Sequence, residues 1–163
     1  MLFRSGLALA ARKRGFGVEL FLSDDGVLFQ DGVRDEAKKQ VLAVVHEDYR
    51  RQVESAGIPV HYRPLTVPAM AKALAEHKVP VVLISSWQLT REKAPHWVVV
   101  AAMDEDFVYI HDPEIKWERD ETVTDRQNLP IDRAVFARMA RFGQWATRAA
   151  LLVSTTGKAK RTR

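Results

Sequence analysis

The chain has 163 residues, an apolar fraction of 47%, a charged fraction of 28% and a formal net charge of +4. Such a length and balance describe one globular domain with a proper core. The longest apolar runs, Val79 to Ile84 and Trp97 to Met103, fall far short of the roughly 18 residues that a bilayer-crossing helix needs. There is no cysteine, which excludes disulfides and thiolate metal sites and fits a cytoplasmic protein. Lys158, Lys160, Arg161 and Arg163 supply the whole of the net charge, so the body of the chain is balanced. The expected organisation is a domain over residues 1–154 and a basic, disordered tail over 155–163. No basic cluster with interleaved aromatics suggests a nucleic-acid face. The apolar stretch Gly6 to Ala11 precedes rather than follows its positive charges, unlike an export signal.

In chain order, Gly6 to Arg14 reads as a short helix with Ser5 as N-cap and Gly15 or Gly17 as its stop. Val18 to Leu22 reads as a strand. Ser23-Asp24-Asp25-Gly26 is a turn signal, with Val27 to Phe29 returning as a second strand. The longest helix runs from Arg34 to Ala56. Val41, Val45, Tyr49 and Val53 form its apolar stripe with Leu42 beside them, and Gly57 closes it. Ile58 to Tyr62 is extended. Thr66 caps a helix through His77, with Pro68 in its first turn, where a missing N–H costs nothing; Val67, Met70, Ala71 and Leu74 form its apolar face.

Pro80 opens a strand, and Val81 to Ile84 is continuously apolar, as in a strand covered on both faces. Trp97 to Met103 and Phe107 to His111 flank an acidic turn and form a β-hairpin. Pro113 to Pro130 reads as a polar loop without period. Asp132 caps a helix through Phe142, with Val135, Phe136 and Met139 inward, and Arg148 to Val153 is a final strand. The predicted fold class is α+β, with helices against an antiparallel sheet.

The hairpin carries the best chemical signal. If it is symmetric about Glu105, His96 faces Glu114 and Val98 faces Asp112. His96, Val98, Ile110 and Asp112 then share one face. His96 and Asp112 become diagonal neighbours, with Cβ atoms on the order of 7–8 Å apart, a gap that an imidazole and a carboxylate can close. A carboxylate on one ring nitrogen fixes the tautomer, leaving the other nitrogen to take a proton from a nucleophile. The plainer reading is a half-buried strand histidine and a turn-forming aspartate before Pro113. His46, His61, His77 and His111 form no i, i+4 or His-x-Glu-x pattern, so no metal site is expected. No phosphate loop, dinucleotide fingerprint or Gly-x-Ser-x-Gly elbow is present, and no cofactor is expected.

The segment PHWVVVAAMDEDFVYIHDP, Pro95 to Pro113, resembles the His-to-Asp hairpin of C39-type peptidases. Val79 to Trp87 is similar to the preceding core strand of that family. Gly6 to Arg34 resembles the catalytic helix and following strand of its stand-alone bacterial subgroup. Asn128 to Gly143 resembles that subgroup's late helix. The resemblance implies a papain-like cysteine peptidase fold, with His96 as general base and Asp112 as its orienting acid. It also implies a nucleophilic cysteine at the start of the first helix, where the macrodipole favours a thiolate. That position falls around Leu2, within Met1-Leu2-Phe3-Arg4-Ser5, and no cysteine stands there.

Three explanations stay open: a truncated product or internal start, a degenerate and inactive homologue, or Ser5 as substitute nucleophile. Ser5 sits about three residues late, nearly a full helical turn. Ser85 and Ser86 follow the core strand and could line a cleft. The function implied is peptide-bond hydrolysis by Cys-His-Asp in the ancestor, lost here, with a peptide or protein held in the cleft. The alternative is a non-catalytic peptide-binding or interaction module. Neither nucleic acid nor membrane is expected as a partner.

Overall fold

The computed structural model describes residues 3–23, 26, 35–91, 94–143 and 145–155. The proposed strand at Val27 to Phe29, position Leu2 and the tail from residue 156 onward lie outside the described residues. Among the described residues five helices accompany a seven-stranded sheet: α1 (Phe3–Lys13), β1 (Phe16–Leu22), α2 (Glu36–Ser55), β2 (Val60–His61), α3 (Val67–Ala75), β3 (Val79–Ser85), α4 (Trp87–Thr90), β4 (Pro95–Met103), β5 (Phe107–His111), β6 (Leu129–Asp132), α5 (Arg133–Met139) and β7 (Ala149–Thr155). The class is α+β. The sheet is mixed rather than antiparallel throughout, because β2 runs parallel to β1 at its edge. That pairing follows from chain direction. Gly57, at φ +63°, ends α2 and leaves a short return to β2 alongside β1.

The strand order is β2-β1-β7-β3-β4-β5-β6. The late strand β7 is inserted between β1 and β3 and is antiparallel to both. Alternation along the strands gives each face its own core. On one face Phe21, Val82, Ile84, Val98, Val100, Val108, Ile110 and Ala150 meet Met70 and Ala73 of α3 and Phe136 and Met139 of α5. On the other, Val18, Leu20, Leu22, Leu83 and Leu151 meet Ala8 and Leu9 of α1 and Val53 of α2. Residues 82 to 84 are buried whichever way they point, because the sheet is covered on both faces.

Several local signals work as expected. Thr66 accepts the Ala69 N–H at the start of α3, with Pro68 in the first turn. Asp132 accepts the Val135 N–H at the start of α5. At the start of α2 a cap that the sequence reading did not name is found: Asp35 accepts the Lys38 N–H.

Three expectations are corrected. Ser5 is not an N-cap: α1 already begins at Phe3, which puts Ser5 inside its first turn. The stripe proposed on α2 is buried at Val53, whereas Val41 is 61% exposed. Residues spaced strictly by four drift about 40° per repeat at 3.6 residues per turn, so Val41 lies about 120° around the helix from Val53. Finally, the polar loop after Pro113 contains short 3-10 turns at Trp117–Arg119 and Thr124–Arg126, then β6, which closes the sheet against β5.

Phe136 is fully buried where α5 meets the sheet. Phe136→Ala is expected to lower the unfolding free energy by about 3–5 kcal/mol. Val41→Ala should change it by less than about 0.5 kcal/mol. Urea denaturation of both variants checks the two halves of this assignment.

Candidate functional site

The hairpin of β4 and β5 pairs Val99 with His111 and Val100 with Ile110, the pairing symmetric about Glu105. Nearer the turn the register shifts by one, pairing Ala102 with Tyr109 and Met103 with Val108. The Asp104 carboxylate gathers the N–H groups of Asp106 and Phe107 there, and the Tyr109 hydroxyl donates to it as well. The shift is confined to the turn side, so the open end keeps the symmetric register.

At that open end His96 and Asp112 come together. His96 Nε2 lies 2.6 Å from Asp112 Oδ1. His96 follows Val98 and Val100 on the face covered by α3 and α5, and β3 meets it through Ile84. The Asp112 side chain is 2% exposed and that of His96 16%. Oδ1 of Asp112 also accepts the Glu114 N–H at 2.9 Å, the local bond expected of an aspartate before a proline turn.

Oδ2 accepts from Arg126 Nη1 at 3.3 Å. Arg126 presents its Nε and Nη2 to Glu121, and Glu121 accepts the Lys116 N–H as well. The main chain closes the same loop, since the Asp112 N–H donates to the Arg126 carbonyl at 2.8 Å. Neither Arg126 nor Glu121 is singled out by the sequence. They sit in a polar stretch with no period, and an arginine that folds back 14 residues leaves no spacing signal.

Burial is the largest single influence on Asp112 and pushes its pKa up. The His96 and Glu114 hydrogen bonds and the charges of His96 and Arg126 together outweigh it, and hold the carboxyl below its ordinary 3.8. At neutral pH Asp112 is therefore a carboxylate, which can only accept. The proton of the shared bond then belongs to His96 Nε2. In the neutral ring the lone pair sits on Nδ1. The Glu114 carboxylate stands 3.9 Å from that nitrogen.

The other sequence candidates fall elsewhere. Ser85 ends β3 opposite Pro95, one step from the Ile84–His96 pair. Ser86 is buried and its hydroxyl donates to the Ala94 carbonyl. Arg4 and Ser5 lie on the opposite side of the sheet, where they line a small cavity with Leu20, Leu22, His46 and Tyr62. The buried Arg4 guanidinium donates to the Gly26 carbonyl and approaches His46 Nδ1 at 3.5 Å. The opening turn of α1 thus does not face the imidazole, contrary to the placement that the resemblance implied.

His111 points away from Asp112 and accepts the Asn128 N–H at Nδ1. His61 contacts Glu19 and stacks on Phe21. Among the described residues no group of three or more His, Cys, Asp or Glu side chains could hold a metal, and no helix is long and apolar enough to cross a membrane.

Three exposed indoles stand in the connections next to strands of the sheet. Trp87 follows β3, Trp117 follows β5 and Trp145 precedes β7, and they are 40%, 67% and 71% exposed. Arg91 lies over the Trp87 ring at 6.0 Å. Compared with known proteins, residues 4–154 match the family model described as Peptidase_C39 like family. No curated protein and no solved structure gives a match.

The depressed Asp112 pKa makes a signed prediction. The stabilisation is fully present above the ordinary value of 3.8 and disappears as pH falls through the lower folded value. Asp112→Asn should cost about 1–3 kcal/mol at pH 7. It should also flatten the fall in stability below about pH 4. Urea titrations of both proteins at pH 7 and pH 3 read the two effects.

Proposed function

We propose, from the premise that this chain belongs to the Peptidase_C39 like family, that it carries the base-and-acid half of a peptide-bond hydrolase. In this reading its 163 residues bind an extended peptide without cutting it. The observation that carries the reading is the 2.6 Å contact of His96 Nε2 with a buried Asp112. His96 has the role of general base, with Nδ1 as the nitrogen that accepts a proton. Asp112 orients the ring and stabilises its charged form. A papain-like relationship accounts for the pair and for the sheet that holds it.

Hydrolysis by such a pair needs a group that becomes a strong nucleophile when it loses a proton. The sequence has no cysteine. The hydroxyl of Ser86 is engaged with a carbonyl within its own turn, and Ser5 lies against Leu20 and Leu22 on the other face. Ser85 follows Ile84 on β3 and so takes the opposite face from the one that Ile84 shares with His96; none of the three serines is placed for activation by the imidazole. Degeneration of the active centre is the reading this favours over a substituted serine nucleophile.

Peptide binding is supported by aromatic surface. Exposed indoles offer large apolar area on rigid side chains, and three of them stand in connections next to β3, β5 and β7. A peptide lying across the strand ends fits better than one added to a sheet edge. One edge strand, β2, is only two residues long, and the other, β6, contains Pro130, which has no N–H to offer.

The test is a cleavage assay of the purified chain with a fluorogenic peptide library, paired with peptide-binding measurements by tryptophan fluorescence. Binding without cleavage is expected, and Ser5→Ala should behave as the parent does. Cleavage that vanishes in Ser5→Ala or His96→Ala would overturn the inactive reading. Failure of every peptide to perturb the indoles would remove the binding role.

A further inference from the structure

We propose that Arg126 is the positioning residue of the His96–Asp112 pair, fixing which oxygen of Asp112 the imidazole meets and thereby which ring nitrogen stays free. The inference rests on the reading of that pair as a base and its orienting acid, and it adds a residue that the sequence pattern does not single out.

The geometry assigns each part of the guanidinium a separate task. Nε and Nη2 form a fork on the Glu121 carboxylate, a planar two-point contact that fixes the plane of the group. Nη1 is then directed at Asp112 Oδ2, 3.3 Å away. Oδ2 being engaged, Oδ1 is left to His96 Nε2 and the Glu114 N–H. A carboxylate free to rotate could present either oxygen, and the imidazole could turn with it. A carboxylate held from both ends cannot.

The main chain repeats the constraint. The Asp112 N–H donates to the Arg126 carbonyl, so residue 126 holds residue 112 through backbone and side chain together. Glu121 also takes the Lys116 N–H, which ties the intervening loop to the same cation. The arginine is 14% exposed and Glu121 21%, so the arrangement is largely shielded from competing water. A second carboxylate beside the cation keeps the cluster from carrying a surplus positive charge near the imidazole.

A purely structural arginine would pin the loop and leave the imidazole unchanged. The separating readout is therefore the ring itself, by nitrogen-15 NMR of His96 in the full chain. In the parent protein, at a pH where the ring is neutral, it is expected as the Nε2–H tautomer, with a slowly exchanging Hε2 proton. In Arg126→Gln, Hε2 exchange with water should quicken by about tenfold or more, since a charge-assisted bond on the acceptor has gone. The Nδ1–H tautomer should then become visible. Arg126→Lys, which restores charge without the fork, should recover part of the protection.

Glu121→Gln keeps the arginine and loosens its fork, and should shift the ring in the same direction by a smaller factor. It serves as the deciding variant if Arg126→Gln does not fold. A folded Arg126→Gln or Glu121→Gln protein with parental Hε2 exchange and tautomer would overturn the proposal. The readout needs neither cleavage nor bound peptide, so it can fail while the peptide-binding reading stands, and hold while that reading fails.

Discussion

A carboxylate with 2% of its side chain exposed to water has to be supplied with donors by the protein itself. Asp112 receives them from three directions: an imidazole on a neighbouring strand, a main-chain N–H two residues on, and a guanidinium 14 residues on. These contacts overcome the cost of burial and keep the group charged. Much of the architecture at this end of the molecule follows from that requirement. The loop after β5 has to fold back to deliver Arg126, and having done so it places residues 129–132 beside β5 as the edge strand β6.

The dyad lies on the face of the sheet shared with α3 and α5, whereas α1 and α2 cover the reverse. Two hydrophobic cores therefore meet back to back through a single sheet, and side chains one position apart on β4 belong to different cores. His96 belongs with Val98 and Ile84; Trp97 packs against Leu83 and Leu151. This alternation decides the fate of Ser5. However close in sequence it stands to the expected position of a nucleophile, the sheet lies between it and the imidazole.

The hairpin was legible because it obeys the simplest rule in protein structure. Side chains alternate, two strands pair about a short turn, and the partners of His96 and Asp112 follow by counting. Thr66, Asp132 and Gly57 were equally readable, since a cap or a positive φ is a local matter. What the sequence concealed was non-local. Arg126 and Glu121 have meaning only once the loop closes on Asp112. β6 is four residues long with a proline inside, a poor strand by composition that exists because β5 offers it an edge. The stripe on α2 was misread in its first half because a four-residue repeat resembles a helix face locally and rotates away from it over three turns. The start of α1 lies two residues before Ser5, at Phe3, because a residue suited to a cap can equally sit inside a first turn.

The position of β7 has a consequence for how the chain is made. This strand joins β1 to β3, pairing Phe16 with Thr155 and Val79 with Val153. Until residues 149–155 leave the ribosome, β1 and β3 each wait with an open row of N–H and C=O groups. Synthesis thus passes through a stage with two unjoined half-sheets, each offering a template to any other extended chain. Closure depends on contacts between the most distant parts of the sequence, so assembly should be slow and late.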